Sequence, residues 1–215
     1  QDHPHIKSFR SHKNFGFAEG NNIGIKKAFE DPDVKYIICL NNDTTVKPNF
    51  VTELVKTAEQ GFDMVNAKVL SYYNHNKIDN LGMEVCASML TFNRKSDTGP
   101  LFCPTGCVVL YSRQLLEQIK LGQDFFDSDY FCYAEDFDLG FHALLQGFKP
   151  ALAENAVVYH KGSATTSVMS DFAIYYSYRN IVWTIIKNLP LSLFFRFYFK
   201  IKLGHWAIIL LNIKR

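Results

Sequence analysis

Five acids stand among aromatic rings between Phe125 and Leu139: Asp127, Asp129, Glu135, Asp136 and Asp138. Burying carboxylates against apolar rings is costly unless the charge is paired or bound. Asp136 falls in the first turn of an expected helix, where the macrodipole favours the ionised form. Glu135 and Asp138 act in the opposite sense, because like charges raise a carboxyl pKa. A carboxylate under both influences can act as a general base on a hydroxyl. The plainer alternative is acidic charge that only complements the helix dipole.

A second acidic site, Asn41-Asn42-Asp43-Thr44, follows the apolar run Tyr36 to Leu40. In extended chain the side chains of Asn41 and Asp43 point the same way. An amide and a carboxylate together can hold a hard cation, Mg²⁺ or Mn²⁺, which keeps positions open for phosphate oxygens. An ordinary Asn-Asp turn after a strand is the alternative. His160 ends another apolar strand; a neutral imidazole there can complete a metal site or be structural. Taken together, these residues imply a metal-bound phosphate leaving group with a carboxylate base nearby. His3, His5, His12, His75, His142 and His205 show no usable pattern.

The elements that must position these groups alternate. A glycine-rich stretch, Asn14 to Gly24, reads as a turn running into a helix that buries Ile25, Ala28 and Phe29 and ends at Asp31-Pro32-Asp33. Tyr36 to Leu40 has the unbroken apolar character of a strand buried on both faces of a parallel sheet. A helix is expected over Pro48 to Gln60, then a strand over Met64 to Leu70. Residues 71 to 103 lack a period and read as a long loop or irregular hairpin. Val108 to Tyr111 is a short strand, followed by a helix from Ser112 to about Lys120. Phe137, Phe141, Leu144, Leu145 and Phe148 recur at helical spacing and predict a helix from Glu135 to Gln146, closed by Gly147. Ala156 to Tyr159 is a further strand. This alternation predicts an α/β layer fold.

With 215 residues, 47% hydrophobic and 20% charged, the chain suits one globular domain with an attachment. The net charge of +2 is too small to argue for nucleic acid. Cys39, Cys86, Cys103, Cys107 and Cys132 are scattered, and Cys103-x-x-x-Cys107 has no second pair to complete a closed zinc site. Reduced thiols in a cytosolic protein are the expectation. The opening, Gln1 to Lys13, is polar and lacks the apolar core of a signal peptide. After Asp171 the chain has no acid but seven basic residues. That stretch is apolar and reads as helical. Its longest charge-free run, Leu203 to Ile213, has eleven residues, against roughly 20 needed for a span. An interfacial helix fits this pattern, with a packed core helix as the alternative.

In order along the chain, six segments resemble the family 2 glycosyltransferases of the GT-A fold, especially their rhamnosyltransferase-like bacterial branch. They are Asn14-x-Gly-Phe-Ala-x-Gly-x-Asn-x-Gly24, Leu40-Asn41-Asn42-Asp43-Thr44, Thr105-Gly106-Cys107-Val108-Val109-Leu110, Phe126-Asp127 to Leu139, Val158-Tyr159-His160 and Tyr178-Arg179-Asn180. The resemblance implies a GT-A, Rossmann-like three-layer sandwich with a C-terminal helical segment: a catalytic part over residues 1–170 and apolar, basic helices over 171–215. It implies an inverting enzyme that moves a sugar from a nucleotide-diphosphate donor, dTDP-rhamnose among the candidates, to a glycan or lipid-linked acceptor. Carried over position by position, Asp43 and His160 bind Mg²⁺ or Mn²⁺. Asn41, Asn22 and Gly20 face the donor, Gly106 and Thr105 the acceptor. Asp136 is the base and Glu135 orients acceptor or base. The family's opening βαβ piece, which holds the nucleotide's base and ribose, has no counterpart here, so the chain reads as an N-terminally truncated fragment. The expected location is peripheral, at the inner face of the plasma membrane. A metal-dependent nucleotidyltransferase and an inactive, membrane-associated scaffold are the competing readings.

Overall fold

A computed structural model describes residues 6–162 and 170–212. Gln1, His3, His5 and Ile213, named above, lie outside the described residues. The elements run α1 (Gly16–Ala28), β1 (Tyr36–Leu40), β2 (Thr44–Val46), α2 (Phe50–Ala58), β3 (Met64–Ser71), β4 (Ile78–Asn80), β5 (Met83–Val85), β6 (Thr91–Asn93), β7 (Val108–Ser112), α3 (Arg113–Ile119), α4 (Glu135–Leu145), β8 (Pro150–His160), α5 (Asp171–Asn188) and α6 (Leu191–Asn212).

The main sheet has the order β1-β7-β3-β8-β2, with β4 also pairing β3. Only β3 and β8 are parallel; the other pairings are antiparallel. Strand alternation sends side chains to two faces. Cys39, Val109 and Tyr111 join α1, α3 and α4 through Ala18, Ile25, Leu115, Leu116, Leu139 and Ala143. Val65, Val69, Val108 and Leu110 join α2 through Phe50, Leu54 and Ala58. The result is helix, sheet and helix in three layers. A third core ties Phe137 and Phe141 of α4 to Met83 of the β5–β6 hairpin, to Ile181 and Ile185 of α5, and to Ile201 of α6.

Several expectations change. β1 is a sheet edge among the described residues and pairs antiparallel to β7, so it is not a doubly buried parallel strand. Its residues do serve both cores, but Leu40 is exposed. The glycine-rich stretch is α1 itself, with Gly20 and Gly24 inside it. Residues 71 to 103 take the hairpin alternative, with β4 and the β5–β6 hairpin, whose three-residue strands are too short to show a period. β8 starts six residues before Ala156, because Glu154-Asn155 sit at a register shift and interrupt the apolar run without ending the strand. Leu145, expected in the core, is exposed. At α3 the Ser112 side chain caps the helix by accepting from the Leu115 N–H at 3.1 Å, worth about 1 kcal/mol.

Candidate active site

The acidic, aromatic segment is irregular up to Ala134, and two helices, α1 and α5, hold it. Phe131, Tyr133 and Ala134 take φ values of 63°, 67° and 62°, conformations that cost non-glycine residues roughly 1–3 kcal/mol each and survive only when the surroundings impose them. From α1, the N–H groups of Phe17 and Ala18 donate to the Phe131 carbonyl at 2.6 and 3.2 Å. A Cβ on Gly16 would sit 2.2 Å from that oxygen, so only glycine fits the approach. From α5, Asn180 Nδ2 donates to the carbonyls of Tyr130, Cys132 and Tyr133 at 3.0, 2.9 and 2.6 Å. Arg179 Nη2 donates to those of Asp129 and Tyr130, and its Nε donates to Asn180 Oδ1. The segment then enters α4 at Glu135.

The five acids divide by environment. Lys187 pairs with Asp127 at 2.6 Å and with Asp138 at 2.8 Å, and Asp138 also accepts from Tyr130 and Asn188. The like-charge pressure expected from Asp138 is thereby compensated. Asp129 lies inside the short 3-10 turn Ser128–Tyr130 that leads to Phe131. Among the described residues Glu135 and Asp136 have no cation. Burial pushes the Asp136 carboxyl up, against donation from the Gly106 and Phe137 N–H groups at 2.5 and 2.8 Å. Burial, then the neighbouring Asp136 charge, pushes Glu135 well above the carboxylate range, and its Oε2 has no hydrogen-bond partner among the described residues.

At the other end of the same cleft stands a charged cluster built by strand register. β2 pairs β8 with Thr44 opposite His160, which sets Asp43 beside the imidazole: Oδ1 lies 3.3 Å from Nε2. β3 carries β4 on one side and β8 on the other, which brings Asp79 Oδ2 to 2.7 Å from His160 Nδ1. Hydrogen bonding to Asp79, then to Cys107, raises the His160 pKa to about 10, against burial. The Asp79 carboxyl is lowered, chiefly by the same bond. Asn41 and Asp43 flank a turn rather than an extended strand, with Thr44 Oγ1 donating to the Asn41 carbonyl at 2.6 Å. The pairing of β2 with β8, not strand alternation, is what aims Asp43.

A cleft of about 430 Å³ is lined by Asn41, Asp79 and His160 at this end and by Glu135 and Asp136 at the other. Residues 105–107 join the ends: the Gly106 N–H holds Asp136, while the Cys107 carbonyl accepts from the Asn41 N–H. Thr105 and Gly106 line the cleft; Thr105 Oγ1 also bonds Asn80 Oδ1 at 3.0 Å. The structure does not bring Asn22 and Gly20 there, and Asp43 stands beside the lining, against His160, rather than in it. Asn22 is fully buried and uses its amide on Phe125, Phe126 and Ser128. Gly20 is exposed on α1, with open space around it. Sequence reasoning missed Asp79, which sits in a segment without a period. It also missed the grip of Arg179 and Asn180, although the pair stood out as a motif.

Asp43 and His160 could hold a hard cation that takes its remaining oxygens from a diphosphate or water, once the cation displaces the proton that Asp79 and Cys107 favour on the imidazole. Asp79 on the far ring nitrogen is the usual outer partner of a ligating histidine. Among the described residues no group of three His, Cys, Asp or Glu forms a self-sufficient metal site.

Among solved structures the chain is similar to GalNAc-T7 with UDP, GalNAc and Mn²⁺. The TM-score is 0.60 at 18% identity, over 82% of this chain and 35% of that one. The chain thus spans about a third of that protein's length, and the likeness supports the GT-A fold. No curated protein gives a match. The model of Glycosyl transferase family 2 matches residues 1–120, more than half of the chain. With the GT-A layers around a cleft that carries carboxylates at both ends, the chain belongs to glycosyl transferase family 2.

Proposed function

We propose that the cleft moves a sugar, with inversion, from a nucleotide-diphosphate donor to a hydroxyl of a glycan or lipid-linked acceptor. One observation carries this reading: a single cleft joins a cluster suited to a cation and diphosphate to a buried carboxylate pair without a cation. Asp43 and His160 would hold Mg²⁺ or Mn²⁺. The bound ion would offset the charge that grows on the departing diphosphate. Asp79 fixes the imidazole, and Asn41 presents its amide to the donor side.

At the opposite end the acceptor oxygen attacks the anomeric carbon while the bond to the diphosphate breaks. Asp136 takes the hydroxyl proton. Its two backbone donors hold the carboxylate in place, and burial raises its basicity above that of a solvated Asp. Glu135 stays neutral and turns its unpartnered oxygen to an acceptor hydroxyl. Resemblance to the rhamnosyltransferase-like branch makes dTDP-rhamnose the first donor to try, and the cytoplasmic face of the plasma membrane the place to look.

The test is a transfer assay of the full chain with Mn²⁺ and a panel of nucleotide-diphosphate sugars, reading released nucleoside diphosphate and the anomeric configuration of the product by NMR. Release with an inverted product supports the proposal. Nucleoside monophosphate release, or retention, contradicts it.

A further inference from the structure

α6 has two faces of different use. Phe194, Phe197 and Ile201 pack into the third core, and Gly204 lies against Ser88 in the turn of the β5–β6 hairpin, where a Cβ would come within 2.5 Å. The opposite face is apolar and open. Leu191, Phe195, Phe199, Leu203, Trp206 and Leu210 recur every three or four residues along it and are 73%, 72%, 81%, 73%, 53% and 60% exposed. At 100° per residue they form one stripe turned away from the packed face. Exposed Arg196, Lys200 and Lys202 accompany the stripe. Among the described residues none of the three forms an ion pair, and α6 carries no acid.

We infer that this outer face of α6 is a docking surface for an anionic lipid bilayer, on which the helix lies parallel to the membrane. Three observations select that occupant. Among the described residues no helix is long and apolar enough to cross a membrane, so the stripe suits the headgroup boundary rather than the hydrocarbon interior. A second copy of the chain would set like charges against like across a symmetric seam, whereas anionic headgroups complement Arg196, Lys200 and Lys202. Trp206 and Tyr198 bring the amphipathic rings that favour the interface. The surface is also joined to the cleft: α6 packs on the hairpin that supplies Met83, Thr91 and Asn93 to the lining, and on α5, which supplies Ile181. Docking would hold the Asp136 end of the cleft near acceptors carried on lipid. Only that last consequence rests on the proposed function; the docking itself does not.

The probe is co-sedimentation of the full chain with phosphatidylcholine vesicles containing about a third phosphatidylglycerol. The variants are Phe199→Glu with Leu203→Glu, and Arg196→Glu with Lys200→Glu, all at exposed positions. Wild type is expected to bind at low salt and to lose at least tenfold in affinity in high salt or in pure phosphatidylcholine. Each double variant should lose at least tenfold while its circular dichroism and its nucleotide-diphosphate affinity stay unchanged. Wild-type chain that remains in the supernatant overturns the inference. So does vesicle binding that the variants leave intact, or a dimer in sedimentation equilibrium that Phe199→Glu with Leu203→Glu dissolves. Failure of sugar transfer with vesicle binding intact would count against the catalytic reading alone.

Discussion

The two ends of the cleft solve the problem of buried charge in opposite ways. At the Asp43 end, Asp43 and Asp79 both lie within 3.3 Å of His160, and pairing dominates the shifts of His160 and Asp79. At the Asp136 end two adjacent carboxyls have only backbone donors or nothing, and burial dominates. At the first end a metal cation could take the place of the imidazole proton beside Asp43. Unpaired, desolvated carboxyls gain basicity and are suited to taking a proton. The ends also differ in construction: strand register makes the first, whereas α1 and α5 gripping a strained segment make the second.

The contrast breaks most sharply at Asp136. Asp136→Asn keeps the shape and removes the base, so turnover should fall roughly 10²-fold or more. Steady-state rates check this, and near-normal turnover would remove Asp136 from the mechanism. Next comes Asp43→Ala, which should cost at least about tenfold in metal-dependent nucleotide-diphosphate affinity. Equilibrium titration with and without Mn²⁺ reads that loss.

Asn180→Ala tests whether the acid end depends on its grip. It deletes three bonds to carbonyls, and we expect roughly a tenfold drop in kcat with a loss of about 2 kcal/mol in stability. Donor affinity should not change. An unchanged kcat in a folded variant would show that the strained segment holds itself.

The smallest effect is on stability. Glu135 has a raised folded pKa, so the native state binds its proton more tightly than the unfolded chain does. Stability from this group is present below the ordinary glutamate pKa and declines as pH rises above it. At neutral pH Glu135→Gln should therefore raise Tm by a few degrees, roughly in line with 1 kcal/mol or more. In acid the gain should shrink. Thermal melts at two pH values decide, and destabilisation at neutral pH would mean that Glu135 is ionised and paired.

The layers were legible because α2, β3, α3 and α4 have clear apolar periods and end signals. Three-residue strands have no readable period, so β4, β5 and β6 read only as a long loop or irregular hairpin, and Asp79 did not stand out among them. The edge position of β1 was hidden because an apolar run looks alike whether both neighbouring strands are present or one. Asp43, His160 and Asp136 stood out in the sequence because acid and imidazole at strand and helix ends carry a chemical signal of their own, and the structure sets Asp136 and His160 in the cleft lining with Asp43 beside His160. Asn22 misled for a physical reason: a buried amide that satisfies three backbone groups looks, in sequence, like one waiting for a ligand.

The central claim is that the two ends act separately, one on the donor and the other on the acceptor proton. It is tested most directly by calorimetric titration of a nucleoside diphosphate, with Mn²⁺ present, into wild type, Asp43→Ala and Asp136→Asn. The account predicts wild-type affinity for Asp136→Asn and loss of the metal-dependent part for Asp43→Ala. Equal losses in both variants, or none in Asp43→Ala, would contradict it.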